Sequence, residues 1–341
     1  MPMVKINLKS LSKDGIFDFI ESLGLPRYRG EQLIHWIYKK NAASIDEISE
    51  FSKSLRNTLN KHAFISNLEL VKNLKSRDGT EKFLFSLNDG QTIETVLIPD
   101  KGRLTLCISS QVGCALGCRF CLTGKLGFIR NLKSFEIVDQ ITTVQRIIMP
   151  KKITNIVLMG MGEPLLNFDR VVEALWRIVL LVGISKRKIT LSTAGITPRI
   201  ELFSKKAPEV NLAVSLNATT DESRDKIMPV NKRYPIKSLL NACRNFPLSP
   251  RRRITFEYVL IKGLNDSRED ALRIVRLLKG IRCKVNLIPL NQSGSDSLKR
   301  PSERTILEFQ KILMQNNMTA LIRESKGSDI LAACGQLRGG S

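Results

Sequence analysis

The sequence predicts an α/β fold in which a parallel sheet follows a small helical domain and a β-hairpin extension. Three observations carry this prediction: a helical spacing of apolar residues near the start, one pair of alternating segments around a glycine turn, and a regular strand and helix alternation from residue 104 onward. The chain has 341 residues, which is enough for more than one hydrophobic core. We therefore expect three parts, at residues 1–75, 76–100 and 101–341.

The N-terminal part has the pattern of amphipathic helices. From about Asp14 to Phe64, apolar residues return every three or four positions in GIFDFIESLGL, in GEQLIHWIYKKN and in the segment SIDEIS, which begins at Ser44. This spacing predicts a small helical bundle.

A hairpin is predicted next, over Glu81–Ile98. Phe83 and Phe85 alternate with polar neighbours, the tripeptide NDG supplies a turn, and the β-rich run Thr92–Ile98 follows it. Alternating segments that flank a glycine turn are typical of two antiparallel strands.

The remainder of the chain alternates between β-rich runs and helical segments of roughly ten or more residues, and such βα units form a parallel sheet. Six units suit either a partial (β/α) barrel or a doubly wound sheet, and both bind ligands at the carboxyl ends of their strands. Polar or glycine-containing segments lie there, namely GMGEP, STAG, SLNATT and PLNQS. The six predicted strands are Leu104–Ser109, Ile153–Met159, Lys188–Thr193, Val210–Asn217, Ile254–Ile261 and Lys284–Pro289.

The charge is strongly basic and unevenly distributed. The chain has 54 Lys and Arg residues and 32 Asp and Glu residues, a formal net charge of +22. Residues 1–100 contain 14 basic and 13 acidic residues, so a net charge of +21 lies after residue 100. The excess is dispersed in short clusters such as KRK, RRR and KR, which indicates a folded basic surface. Nucleic acid is the partner that such a footprint favours.

Membrane insertion and secretion are both disfavoured by the sequence. The most apolar stretch, Val171 to Ile184, contains Glu173 and Arg177, and a spanning helix needs about 18 or more uninterrupted apolar residues. The segment MPMVKINLKS has no apolar signal core. We therefore expect a cytoplasmic protein whose seven cysteines are metal ligands or reactive thiols before they are disulfides.

Three of these cysteines form the run CALGCRFC, at Cys114, Cys118 and Cys121. Thiolates that are this crowded can share one soft-metal centre. Iron–sulfur clusters usually have four cysteine ligands, so three would leave one iron open for chemistry. Structural zinc needs a fourth ligand, and the two histidines, His35 and His62, lie in the helical N-terminal part. The run therefore favours an iron–sulfur cluster.

The wider sequence resembles the RlmN/Cfr family of radical S-adenosylmethionine (SAM) RNA adenine methyltransferases. The segments that carry the resemblance are GCALGCRFCLTGKLGFIRNL, NIVLMGMGEPLLN, SLNATTDESRDKIMPVNKRYPI and RESKGSDILAACGQL, and the likeness extends through nearly the whole chain. It implies a partial (β/α)6 radical-SAM barrel. It also implies a [4Fe–4S] cluster on Cys114, Cys118 and Cys121, with SAM on the fourth iron.

The resemblance further assigns the residues that bind SAM. A carboxylate accepts hydrogen bonds from an ammonium group, and small residues at strand ends leave room for a nucleoside. Asn217 stands where some relatives have histidine. Without the resemblance, GMGEP would equally fit a tight turn after a strand. The implied SAM-binding residues are Gly162, Glu163, Ser192, Ser215, Leu216, Asn217 and Asn291.

The same resemblance implies catalytic roles for Cys334, Cys107 and Glu94. Cys334 would be methylated by a first SAM, and its S-methyl group would lose hydrogen to a radical from a second SAM and then add to adenine. Cys107 would resolve the resulting adduct through a transient disulfide with Cys334, and Glu94 would accept the ring proton. Alone, Cys107 would be a small core residue and Glu94 an ordinary strand residue.

The substrate expected from the resemblance is an adenine in 23S rRNA and, for many members, in tRNA, with methylation at C2 rather than at C8. Aromatic residues are 6% of the chain, which favours structured RNA with one extruded base over a stacking platform. An external flavodoxin- or ferredoxin-like electron donor and a monomeric state are also expected. Cys243 and Cys283 are interpreted as packing residues. The rival hypotheses are a radical SAM enzyme for a non-RNA substrate and a non-catalytic iron–sulfur RNA-binding protein.

Overall fold

The computed structural model describes residues 5–291 and 298–340, and its first part is helical as predicted. Ser12 and Ser52 cap the first and third helices, because their hydroxyls accept hydrogen bonds from the backbone N–H groups of Gly15 and Leu55. The elements are β1 (Ile6–Asn7), α1 (Lys13–Ser22), α2 (Tyr28–Tyr38), α3 (Lys53–His62) and β2 (Ala63–Phe64), with 3-10 helices at Leu8–Ser10 and Ile45–Glu47; β1 and β2 pair in parallel.

A ten-stranded sheet forms the centre of the molecule. Its order is β14-β13-β12-β11-β10-β9-β6-β5-β4-β3, and the separate strands β7 and β8 pair with each other. The strands are β3 (Glu69–Lys75), β4 (Glu81–Ser86), β5 (Thr92–Asp100), β6 (Arg103–Cys107), β7 (Gln111–Gly113), β8 (Phe128–Asn131), β9 (Asn155–Leu158), β10 (Ile189–Thr193), β11 (Asn211–Ser215), β12 (Ile254–Leu260), β13 (Cys283–Pro289) and β14 (Ala320–Ile322).

The part of the sheet from β6 to β14 is parallel throughout, and it contains all six predicted strands. The three-residue strand β14 extends it beyond the prediction. Within the described residues, the two edges β14 and β3 do not pair, so the sheet is an open, partial barrel. The predicted hairpin is β4 and β5, and it is continuous with the barrel because β5 pairs antiparallel with β6.

Helices cover the outer face of the parallel strands. None of the helices in the described part of the chain is long and apolar enough to cross a membrane. The helices that follow β7 in the chain are α4 (Leu122–Lys125), α5 (Ser134–Ile147), α6 (Phe168–Arg177), α7 (Thr197–Lys206), α8 (Asp221–Ile227), α9 (Ile236–Arg244), α10 (Arg268–Leu278) and α11 (Glu303–Gln315). A π-helix over Ile178–Val182 continues α6.

The strands separate an apolar outer layer from a polar interior, as the two-residue repeat of a strand requires. On β12, Phe256 and Tyr258 are fully buried, and the Tyr258 ring stacks on Phe309 of α11 at 5.6 Å between centroids. The intervening Glu257 points to the other side, where Asn286 of β13 donates a hydrogen bond to it over 3.0 Å. Polar groups are thus available inside the barrel.

Candidate active site

The loop after β6 carries the three clustered cysteines, and glycine determines its path. Gly113 has a φ of 72°, in the left-handed region, and a Cβ there would lie 1.9 Å from the carbonyl oxygen of Gly127. This close approach lets the Cys114 N–H donate to the same carbonyl over 2.7 Å. Cys121 immediately precedes α4, so the loop is closed at both ends.

The three thiols lie near one another at the mouth of the barrel. Each cysteine is half-buried, and burial raises the pKa of the Cys114 thiol to about 12. Burial also raises the pKa of Cys118, and the neighbouring Cys121 and Cys114 thiols raise it further. Such a set of mutually close thiols becomes easier to ionise when it binds a cationic centre.

The three neighbouring thiols of this loop can serve as the ligands of a [4Fe–4S] cluster. Within residues 5–291 and 298–340, no three His, Cys, Asp or Glu side chains converge as ligands of one metal ion. In a [4Fe–4S] cluster each thiolate binds a different iron, so the three sulfurs need not converge on one point. A soft, three-thiol loop with an open side is the donor set that such a cluster requires.

Gly162 and Glu163, from GMGEP, lie against the strand that leads into this loop. Gly162 has a φ of 97°, and a Cβ there would meet the Gln111 side chain at 2.5 Å. The Glu163 carboxylate is buried and accepts hydrogen bonds from the backbone N–H groups of Leu165 and Ala194, over 3.0 and 2.7 Å. Burial raises the pKa of Glu163. The fixed carboxylate retains lone pairs for a cationic ligand.

The predicted SAM-binding residues on β10 and β11 are organised by Arg224, which is fully buried. Its guanidinium donates to the carbonyls of Ala194 and Ser215, over 2.7 and 2.9 Å, and to the carbonyl of Leu216 over 2.9 Å. Ser192 and Ser215 are half-exposed at the carboxyl ends of their strands, whereas Leu216 is buried. One side chain therefore joins the ends of two neighbouring strands.

The side chain of Asn217 is turned into the protein rather than toward a ligand. It is buried with a φ of 55°, and its Oδ1 accepts from the Val259 N–H over 2.8 Å while its Nδ2 contacts the Met228 sulfur at 3.2 Å. Its side chain is thus occupied within the protein. Of PLNQS, the residues after Asn291 lie outside the described part of the chain.

The C-terminal loop brings Cys334 to the cysteine loop. The Leu122 N–H donates to the Gly335 carbonyl over 2.7 Å, and the Thr123 hydroxyl donates to the Leu337 carbonyl over 2.6 Å. Asn291 holds Cys334 directly, because its Nδ2 donates to the Cys334 carbonyl over 3.1 Å. The end of the chain is thus fastened beside the predicted cluster ligands.

Cys334 and Cys107 are both free thiols in this structure, as are the other five cysteines. Burial raises the pKa of Cys107 to about 12, and the nearby Cys334 contributes to this increase. Cys334 is exposed, whereas desolvation by the surrounding protein, followed by the Glu257 carboxylate, raises its pKa to about 11. Cys334 thus acts electrostatically on Cys107, and the two thiols form no disulfide.

Glu94 lies on β5 and is almost fully buried. Its Oε1 forms an ion pair with Lys82 at 2.8 Å. Its Oε2 accepts from the backbone N–H groups of Arg338 and Gly339, over 2.8 and 3.2 Å. The predicted catalytic carboxylate therefore contacts the same C-terminal loop that carries Cys334.

Three residues that organise this site are absent from the sequence prediction: Arg224, Lys82 and Glu257. Arg224 belongs to the motif DESRD, where an arginine among acidic residues resembles a solvated helix surface. Lys82 alternates with apolar residues on β4, which predicts a solvent-facing side chain. Glu257 follows Phe256 in a buried strand, and a charged residue inside such a run was the one available signal.

Comparison with known proteins agrees with this geometry. Residues 108–275 match the family model described as the radical SAM superfamily, and residues 6–65 match the ribosomal RNA large subunit methyltransferase N-terminal domain. The fold is similar to the crystal structure of a radical SAM methyltransferase from Sphaerobacter thermophilus, with a TM-score of 0.93 and 42% identity, over 98% of this chain and 99% of that one. Fold and site thus define a radical SAM methyltransferase.

Full-length relatives narrow the assignment. The dual-specificity RNA methyltransferase RlmN of Pelobacter propionicus is 51% identical over 98% of this chain and 96% of its own length. The protein of the same name from Geobacter sulfurreducens is 50% identical over 98% of this chain and 92% of its own. The chain belongs to the RlmN family of radical SAM RNA methyltransferases. A [4Fe–4S] cluster and SAM are the cofactors of this superfamily.

Proposed function

We propose that this enzyme methylates C2 of an adenine in 23S rRNA and in tRNA through a methyl group carried on Cys334. The observation that carries the proposal is the attachment of the Cys334 loop to the cysteine loop through Gly335 and Leu337. A methyl carrier has to reach both the cofactor and the RNA base, and a loop at the barrel mouth meets both requirements.

Cys114, Cys118 and Cys121 would hold the cluster, which when bound supplies the electron that cleaves SAM to a 5′-deoxyadenosyl radical. Glu163 would hold the SAM ammonium, because its buried carboxylate is fixed by two backbone N–H groups. At Asn217 the side chain is occupied and the carbonyl accepts from Asn265 Nδ2 over 2.7 Å, so a SAM contact there would use the backbone N–H or the second lone pair of the carbonyl. The remaining proposed SAM contacts are Gly162, Ser192, Ser215, Leu216 and Asn291.

Cys107 would release the RNA from the protein. Attack of its sulfur on the Cys334 sulfur forms a disulfide, and the C–S bond to RNA breaks with its electron pair remaining on the carbon, which takes a proton to complete the methyl group. The disulfide is then reduced by a cellular dithiol. The electrostatic effect of Cys334 on Cys107 supports this step.

Glu94 would accept the proton that leaves the adenine ring. Its Oε2 is occupied by the N–H groups of Arg338 and Gly339, whereas its Oε1 is held by Lys82. Proton acceptance by Oε2 would therefore require residues 338–339 to move aside.

The basic surface supports an RNA substrate. The net +21 after residue 100 belongs to the barrel part, and Arg119, Lys125 and Arg338 are exposed beside the cysteine loop and in the C-terminal loop. Binding should weaken steeply with salt, because each phosphate contact releases counterions. We also propose a cytoplasmic location, a monomer and an external flavodoxin- or ferredoxin-like electron donor.

The decisive experiment is mass spectrometry of nucleosides from rRNA and tRNA of a deletion strain that expresses this chain. We expect 2-methyladenosine to return in both RNAs, whereas 8-methyladenosine would replace the C2 assignment by C8. Cys118→Ala should lose the cluster and methylation together. Cys334→Ala should keep the cluster and SAM cleavage but lose methylation, with Cys283→Ala as a matched control that remains active. Methylation by Cys334→Ala would refute the methyl-cysteine route.

A further inference from the structure

A buried ion pair connects the hairpin to the C-terminal loop. Lys82 on β4 and Glu94 on β5 are diagonal neighbours, because the sheet register places Lys82 opposite Val96 and Glu94 opposite Leu84. Their side chains are 7% and 6% exposed, and Lys82 Nζ lies 2.8 Å from Glu94 Oε1. The pair has one fixed geometry inside the protein.

Lys82 has a second partner at the start of the same loop. Its ammonium donates to the Leu331 carbonyl over 3.1 Å. Leu331 has a φ of 53°, a left-handed conformation that non-glycine residues rarely adopt, so this backbone needs a fixed partner. Glu94 binds the other end of the loop through the N–H groups of Arg338 and Gly339. The ion pair therefore fastens both ends of the segment that contains Cys334.

Stability alone is a weak reason for such a pair. Two apolar side chains of similar volume often stabilise a protein as well as a buried ion pair does, because the charges lose their hydration. The pair does fix the orientation of the Glu94 carboxylate: Lys82 binds Oε1, and Oε2 faces the C-terminal loop. A carboxylate without this partner could rotate and exchange its two oxygens.

We propose that Lys82 is a positioning residue for methyl transfer: it orients Glu94 for proton acceptance and anchors the entry of the Cys334 loop at Leu331. The inference rests on the proposed function, in which Glu94 accepts the ring proton. Lys82 touches neither SAM nor RNA in this role and acts through Glu94.

The structure separates this role from the placement of Cys334 itself. Gly335 and Leu337 are held by Leu122 and Thr123, and the Cys334 carbonyl is held by Asn291. None of these contacts involves Lys82. Loss of Lys82 should therefore spare the methylation of Cys334 and impair the later step that needs Glu94.

The test compares Lys82→Met with Lys82→Arg in the reconstituted holoenzyme, with Lys75→Met as a control that removes an exposed lysine from the adjacent strand β3. Intact-protein mass spectrometry measures methylation of Cys334, nucleoside analysis measures RNA methylation, and denaturing gels measure the RNA adduct. For Lys82→Met we expect normal Cys334 methylation, accumulation of the adduct and an RNA methylation rate lower by about 10–100-fold, the usual effect of a misplaced catalytic group. Lys82→Arg should restore most of the rate, and Lys75→Met should equal the parent.

Equal rates of RNA methylation by Lys82→Met and the parent would overturn the inference. It would also be overturned if Lys82→Met lost Cys334 methylation as strongly as RNA methylation and had a lower melting temperature. If Lys82→Met does not fold, Lys82→Gln, which keeps a donor for Leu331 but no charge, is measured in the same way. Glu94→Gln tests the role of Glu94 separately from the role of Lys82. If Glu94→Gln methylates RNA normally, the proposed role of Glu94 fails; if it is impaired while Lys82→Met is not, only the role of Lys82 fails.

Discussion

Replacement of Arg224 by methionine should lower the affinity for SAM, although Arg224 is not itself one of the proposed SAM contacts. Its guanidinium donates to the carbonyls of Ala194, Ser215 and Leu216 and to the side-chain Oδ1 of Asn231, at distances of 2.7 to 2.9 Å. Burial lowers the pKa of Arg224 to about 10, so the group is still a cation at neutral pH. Methionine fills a similar volume and donates nothing.

The magnitude follows from the acceptors that lose their donor. A buried acceptor without a partner costs about 1–3 kcal/mol. Four such acceptors at the low end of this range give a loss of about 4 kcal/mol in the free energy of unfolding, and the low end applies because the folded protein no longer desolvates a guanidinium. Domains are stable by about 5–15 kcal/mol, so the variant should still fold.

Urea denaturation followed by circular dichroism measures the stability, and calorimetric titration with SAM under anaerobic conditions measures the affinity. Arg224→Lys should recover less than half of the loss, because an ammonium has three donors and lacks the planar fork of arginine. Arg276→Met, which removes an exposed arginine paired with Glu269, should change stability by less than about 1 kcal/mol. An Arg224→Met protein with parental stability and parental SAM affinity would refute the reasoning.

Three further predictions concern stability. Burial raises the pKa of Glu257 from 4.5 to about 7. As the pH rises from about 4.5, this group ionises first in the unfolded chain, so folding loses free energy until about pH 7. Glu257→Gln should therefore stabilise the protein by about 3 kcal/mol above pH 7 and by almost nothing at pH 4.5, measured as the difference between urea midpoints. Gly162→Ala should lower stability by about 1–3 kcal/mol in the same assay, because a Cβ would meet Gln111 at 2.5 Å in a left-handed backbone. Lys9→Met should lower the free energy of unfolding by about 3–5 kcal/mol, because it leaves the buried Asp139 without its ion-pair partner. The double variant Lys9→Met, Asp139→Asn should recover part of this loss. Equal stability of the single and the double variant would contradict the pairing.

Much of the architecture could be predicted from periodicity. The six barrel strands, the hairpin and the N-terminal helices are present as expected, because each has a regular spacing of apolar residues. Strand β14 could not be predicted in this way. It has only three residues, and its assignment depends on pairing with β13 rather than on any pattern of its own.

The contacts inside the site are a different matter. The roles of Cys334 and Glu94 were expected from resemblance, but the contact of Glu94 with the C-terminal loop is made by Arg338 and Gly339, which lie 244 and 245 residues from Glu94 in the chain. Composition and spacing describe single segments, so a contact between the hairpin and the chain end has no local signal. The same holds for Lys82, whose alternation with apolar residues predicts exposure although its side chain is buried and pairs with the buried Glu94.

Cys107 is the member of the proposed thiol pair that the protein encloses. Burial raises its pKa to about 12, and the thiolate is the form of cysteine that attacks another sulfur. If Cys107 has the resolving role proposed above, its attack on the Cys334 sulfur needs a base or a more polar environment than its buried position on β6 supplies. The proposed release of RNA therefore requires a local change that lowers the pKa of Cys107.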